Sequence, residues 1–407
     1  MQRETTKLWP SACQFAFSAL AVFTIWGSAA SMAVYAAAEH WNGTEGSQQG
    51  LSLLLMASGL AATGLLLLPS AVYALLRLLD KRPPRLPYLG HPALWIAFLP
   101  FLEGLVLVCG AVAANTSWLQ WLLLPALHIL AIGIPVLWFV LIAMRGLYHG
   151  SPQRAWGIFA SGAVLGPFLI MILEVAALLV FSFLLAAALA SQPGASAHIR
   201  NLLMQISHLR SSPDEVIRLL IPYATKPPIV VAVLVFGAVI VPLIEELLKP
   251  AGVWLLAGRD LTPADGFVAG VLSGAGYAFF ENLALSNGGG EVWSTLVSAR
   301  IGTAVIHILT TGITGWAIVQ AWQNRRYLLF GASYLAAVTI HGLWNFLALS
   351  AAFAALKETS TYTVLGEPVS LAASLAGLSL LALTMAGLAA LLWINWRLRN
   401  APAAPAS

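Results

Sequence analysis

The stretch PIVVAVLVFGAVIVPLIEELLKPAGVWLLA, residues 228–257, decides how the whole chain is read. From Ile229 to Ile244 it carries no charged or hydrogen-bonding side chain. A bilayer core about 30 Å thick is crossed by a helix of about 20 such residues. Inside this run stand two consecutive acids, Glu245 and Glu246, and then Lys249. Holding a charge at membrane depth costs at least about 2.5–3.5 kcal/mol, so such groups are retained where they pair or do chemistry. Pro242 and Pro250 bracket them, and each removes one helical hydrogen bond, which frees the carbonyls of Ala238 and Glu246 and predicts a bent helix.

Outward from this segment the same pattern recurs. Apolar runs cover about residues 12–37, 51–78, 92–114, 119–144, 156–190, 228–257, 264–286, 296–322, 327–352 and 369–396, separated by short loops rich in Pro, Gly or charge. The runs are apolar on every face, whereas barrel strands would alternate, so the expected fold is all-α, a polytopic transmembrane bundle of about ten spans. With 59% hydrophobic and 9% charged residues and a mean hydropathy of +0.85, the chain departs far from a soluble globular domain. The fifth run is too long for one straight crossing, since about 35 residues reach about 52 Å, and Gly166-Pro167 is the expected kink.

A net charge of +4 does not point to nucleic acid, because the basic residues lie in short loops beside the spans. Lys81, Arg82, Arg145, Arg154, Arg259, Arg325, Arg326, Arg397 and Arg399 fall on one side under ten crossings, which predicts that both termini are cytoplasmic. Arg3 and Lys7 precede an apolar stretch longer than a usual signal core, so the first run reads as a span. Cys13 and Cys109 provide neither a disulfide framework nor a cysteine-based zinc site. The chain is expected to divide into a five-span block of unassigned role over 1–190, a polar amphipathic loop over 191–227, a second five-span block over 228–396 and a disordered tail over 397–407. No oligomeric state is legible.

The second block concentrates the ionisable groups: Glu245, Glu246 and Lys249 in the sixth span, Glu281 with Asn282 in the seventh, Arg300 and His307 in the eighth, and His341 with Asn345 in the ninth. Counting from the cytoplasmic ends places Glu245 roughly 18 Å deep, His341 about 21 Å, His307 about 22 Å and Glu281 about 25 Å, so four helices put polar groups at one depth. Residues three or four apart share a helix face. Thr303, His307, Thr311 and Thr314 therefore form one stripe, His341 and Asn345 another, and Tyr277 stands one turn before Glu281. Adjacent residues differ by about 100° in direction, so one member of the acidic pair is expected to face the histidines, and Glu246 is the preferred base.

Such a set suits hydrolysis in two versions. In one, a carboxylate takes a proton from water while a His or Asn donates to the developing oxyanion, and no cofactor is needed. In the other, His307, His341 and Glu246 hold a divalent metal such as zinc, which lowers the pKa of bound water. The sequence contains no H-E-x-x-H helix, Gly-x-Gly-Asp motif or Gly-x-Ser-Gly nucleophile, although Ser273-Gly274 leaves a weak serine reading. A second class of function is also open. Glu103, His128 and Glu174 lie inside predicted spans of the first block, and buried acids on separate helices suit an ion- or proton-coupled transporter that would also use the second-block cluster.

Four segments in order, Glu245-Glu-Leu-Leu-Lys249, Tyr277-Ala-Phe-Phe-Glu-Asn282, His307-Ile-Leu-Thr-Thr311 and His341-Gly-Leu-Trp-Asn345, resemble the PrsW family of intramembrane proteases. That family is distantly similar to the CAAX prenyl endopeptidases, which also pair an E-E motif with later membrane histidines. The resemblance covers about residues 228–350. It implies an integral protein of a bacterial cytoplasmic membrane that cleaves membrane-anchored protein substrates. By motif position it implies Glu245, Glu246, His307 and His341 as catalytic residues; the polar residues around them, Lys249, Glu281, Asn282, Arg300, Thr311 and Asn345, read as supporting. The CAAX enzymes would place a histidine near Glu281, so prenyl-protein processing fits less well.

Overall fold

The computed structural model describes residues 8–42, 48–82, 92–191, 200–201, 204–207, 219, 222–286, 288, 290, 292–357, 361–364 and 367–401. Among the described residues ten helical segments are long and apolar enough to cross a membrane, in the number and order expected from the sequence. They are α1 (Trp9–Asn42), α2 (Gln48–Leu78), α3 (Pro92–Ala114), α4 (Leu124–Ala143), α5 (Pro152–Ala190), α6 (Pro227–Trp254), α7 (Pro263–Leu285), α8 (Val292–Asn324), α9 (Tyr327–Lys357) and α10 (Leu371–Arg399). An antiparallel pair, β1 (Thr361–Val364) with β2 (Glu367–Ser370), joins α9 to α10 with Thr361 opposite Ser370. This short hairpin is not anticipated by the sequence reading. Both chain ends, most of the polar stretch 191–227 and residues 402–407 of the expected tail lie outside the described residues.

Two prolines shape two helices in the same way. Each is preceded by one wide turn of i→i+5 geometry, Ser161–Leu165 in α5 and Phe236–Ile240 in α6. Each wide turn ends two residues before its proline, Pro167 and Pro242. A proline lacks the N–H that an α-turn needs, and an extra residue in the turn lets the helix continue past it. The irregularity expected at Gly166-Pro167 is thus a widened turn in a helix that runs on to Ala190.

The chain forms two compact units that interleave along the sequence. The first comprises Met1–Phe168, Glu246–Ala337 and Thr384–Ser407, and the second Leu169–Glu245 and Val338–Leu383. In the first unit α7 and α8 are the most enclosed spans, with 72% and 67% of their most apolar windows buried by protein. Their close approach depends on missing side chains: a Cβ on Gly274 would lie 2.8 Å from the carbonyl oxygen of His307, and one on Gly270 would lie 2.3 Å from that of Thr311. Thr262 starts α7 with a reciprocal cap, its hydroxyl accepting from Asp265 N–H while Asp265 accepts from Thr262 N–H. Below this cap Ile158, Val253, Leu256, Leu261, Ala269, Ile318 and Val319 form a buried apolar cluster.

In the second unit α9 lies against the widened part of α6. Pro242 leaves the carbonyl of Ala238 without its helical donor, and Gly342 passes directly over it, so close that a Cβ would stand 2.3 Å from that oxygen. One turn on, Asn345 Nδ2 donates to the carbonyl of Gly237 at 2.9 Å. The Phe181 and Phe236 rings pack at 5.4 Å and tie α5 to α6.

Candidate active site

Pro250 breaks α6 immediately after Lys249, and the break is braced from α7. Ser273, fully buried, donates its hydroxyl to the Lys249 carbonyl at 2.6 Å and accepts the Gly252 N–H at 3.3 Å. Trp254 Nε1 donates to the Leu247 carbonyl at 2.9 Å. These bonds pair backbone groups on both sides of the break, and they brace the turn that carries Glu246 and Lys249. Ser273 is therefore a strut, and its hydroxyl is committed to backbone rather than poised as a nucleophile.

On this turn the first unit builds a buried polar chain. Lys249 Nζ lies 3.0 Å from Glu246 Oε1 and 2.8 Å from His307 Nδ1, and all three side chains are sealed from solvent. The Tyr277 ring completes the enclosure: its centroid is 4.7 Å from Lys249 Nζ and 5.1 Å from the His307 ring, which it meets edge to face. The other ring nitrogen, His307 Nε2, stands 2.5 Å from Glu281 Oε2. Arg300 Nη1 stands 3.7 Å from Glu281 Oε1. Glu281 and Arg300 are about one fifth exposed, so the chain runs from a sealed acid, Glu246, to an outer ion pair.

In the second unit Glu245 Oε2 faces His341 Nε2 at 3.9 Å, both side chains buried. That separation exceeds hydrogen-bond reach. It is near the spacing of two ligands around one tetrahedral ion, about 3.3–3.4 Å for bonds of 2.0–2.1 Å. A carboxylate and an imidazole are suitable donors for zinc, so the pair fits a metal as far as two ligands can. Gly342 and Asn345 set the approach of α9 to α6, and His341 is carried on the same turns.

Each member of the acidic pair thus addresses a different histidine: Glu245 faces His341, and Glu246 shares Lys249 with His307. Three residues expected in support make the following contacts. Asn282 donates to the Arg300 carbonyl at 3.1 Å, Asn345 to Gly237, and Thr311 packs on Gly274 with no hydrogen bond to its hydroxyl among the described residues. Glu281, read from the sequence only as a supporting residue, is the direct partner of His307. The enclosing role of Tyr277 was not legible, although its place one turn before Glu281 was the available signal.

The polar residues of the first block are placed differently. His128 is enclosed by satisfied contacts: Trp293 Nε1 donates to its Nδ1 at 3.2 Å, and Ser286 Oγ lies 3.4 Å from its Nε2. Ser286 also donates to the Asn282 carbonyl. Glu103 is buried, and its carboxyl has no hydrogen-bond partner among the described residues. Cys13 and Cys109 are free.

No curated protein and no solved structure matches the chain significantly. Residues 150–373, more than half of the chain, match the family described as PrsW family intramembrane metalloprotease. The match takes in the wide turns of α5 and α6, the acidic pair, Glu281 and both second-block histidines. With ten membrane-length helices among its described residues, the chain is an integral membrane protein that belongs to the PrsW family of intramembrane metalloproteases.

Proposed function

We propose that the protein is an endopeptidase that hydrolyses peptide bonds of membrane-anchored protein substrates within or near the bilayer, with Glu245, Glu246, His307 and His341 as its catalytic set. The observation that supports this reading is that both acids are buried beside polar partners, Glu245 facing His341 and Glu246 paired with Lys249, which also contacts His307. A packing role would not require two consecutive buried acids, one facing a histidine and one joined to another histidine through a lysine, each at the membrane cost of a charged group.

Glu245 and His341, which face each other within the second unit, are proposed donors to a divalent ion in place of the set with Glu246 read from the sequence, and His307 is proposed as a third donor on its motif position alone; zinc suits an acid and imidazoles. When bound, the ion would lower the pKa of a water and polarise the scissile carbonyl. The chain's own residues do the rest. Glu246, held at Oε1 by Lys249, is the carboxylate that takes the proton from the attacking water and later returns it to the leaving amine. Lys249 and Tyr277 exclude bulk water around His307, which strengthens each electrostatic contact there.

The test is cleavage of a membrane-anchored reporter by purified protein in proteoliposomes. Glu245→Gln, His307→Ala and His341→Ala are expected to lower the rate by about 10²–10⁴-fold. Chelation should abolish activity and added zinc should restore it. Wild-type rates in these variants would overturn the catalytic assignment, and full activity in metal-free protein would overturn the metal. Glu103→Gln should cleave at the wild-type rate. An ion-coupled transporter would instead show flux across the vesicle membrane that Glu103→Gln abolishes.

A further inference from the structure

His307 is held between two groups whose chemistry decides where its proton sits. An ammonium has three N–H donors and no acceptor, so the 2.8 Å contact from Lys249 Nζ requires a lone pair on Nδ1. A carboxylate has only acceptors, so the 2.5 Å contact to Glu281 Oε2 requires a proton on Nε2. The opposite tautomer would need a neutral Lys249 and a protonated Glu281 together. Each of these stands beside an opposite charge, Glu246 at 3.0 Å from Lys249 and Arg300 at 3.7 Å from Glu281. A doubly protonated ring would turn an N–H against the ammonium.

We infer that Glu281 and Lys249 fix His307 as the Nε2–H tautomer, so that His307 acts through Nδ1. Its functional consequence rests on the catalytic assignment of His307 made above. Glu281 is then a positioning residue: it orients the ring and raises the basicity of Nδ1, as carboxylates do for metal-bound histidines. Arg300 in turn holds Glu281 from the outer end. Lys249 covers the acting nitrogen, so Nδ1 meets a metal or a proton only when the ammonium turns aside. Lys249 and a metal ion are therefore mutually exclusive partners of His307.

The test is a nitrogen NMR spectrum of the full chain labelled with ¹⁵N-histidine in detergent micelles, with His307→Asn identifying the signals. Metal-free wild type should show His307 Nε2 as an N–H nitrogen and Nδ1 as a lone-pair nitrogen. Added Zn²⁺ should move Nδ1 and leave Nε2 bonded to its proton. Glu281→Ala should weaken Zn²⁺ binding, measured by competition with a chelating dye, by about 10–100-fold, with partial recovery in Glu281→Asp. A wild-type Nδ1–H tautomer overturns the inference, as does a shift of Nε2 on adding Zn²⁺, or unchanged Zn²⁺ affinity in a folded Glu281→Ala. The tautomer is read without substrate or metal. If no Zn²⁺ binds, the metal reading fails while the metal-free spectrum still decides this one.

Discussion

Lys249 and Glu246 face each other at 3.0 Å one helical turn apart, and neither side chain is exposed. A pair sealed in this way is costly to break, because removing one partner strands the other charge in a low-dielectric interior. Lys249→Met is expected to destabilise the protein by about 3–5 kcal/mol, measured by unfolding in mixed micelles. Adding Glu246→Gln to it should recover part of that loss, since no charge is then left alone. If Lys249→Met unfolds at the wild-type midpoint, the ion pair is not formed in solution.

The approach of α9 to α6 makes a second prediction. Gly342→Ala places a methyl group 2.3 Å from the Ala238 carbonyl, which only a shift of the helices can relieve. The expected cost is about 1–3 kcal/mol. Because His341 precedes Gly342, reporter cleavage should fall as well. Asn345→Leu leaves the Gly237 carbonyl without its side-chain donor and should cost about 1–3 kcal/mol. Thermal melting read beside cleavage separates the two effects: Asn345→Leu should lower the melting temperature more than the rate at a temperature where the protein is folded.

Ser273 supplies the third. Its hydroxyl braces the break at Pro250, so Ser273→Ala should destabilise by about 1–3 kcal/mol and keep proteolysis within about tenfold of wild type. Fluorophosphonate probes should not label the protein. Loss of activity by several orders of magnitude in a variant that melts normally would return Ser273 to the chemistry and undo its reading as a strut.

Much of the architecture was legible because a bilayer imposes a simple rule on sequence. A spanning helix must be long and apolar, so the ten runs correspond to ten helices among the described residues, with ends displaced by only a few residues. The two prolines announced irregular turns through their missing N–H groups. Charges that survive at membrane depth announced a site, and the order of the four motifs announced a family. Glu245, Glu246, His307 and His341 could be listed from these signals alone.

The partners of those residues were decided only in three dimensions. Spacing along a helix says which residues share a face, but it does not say which neighbouring helix that face meets or at what distance. Hence the contacts of Glu281 with His307 and Arg300, the backbone bonds of Asn282 and Asn345, and the packing of Thr311 on Gly274 could not be read from spacing. The division of the acidic pair, Glu245 toward His341 and Glu246 toward Lys249 and His307, follows from the 100° between consecutive helical side chains together with the close approaches that Gly274 and Gly342 permit. The sequence determined a membrane-embedded set of acids and histidines, because burying charge in hydrocarbon is too costly to be accidental. Only tertiary packing decided which acid meets which histidine, because hydrogen bonds and ion pairs depend on distances that no one-dimensional spacing encodes.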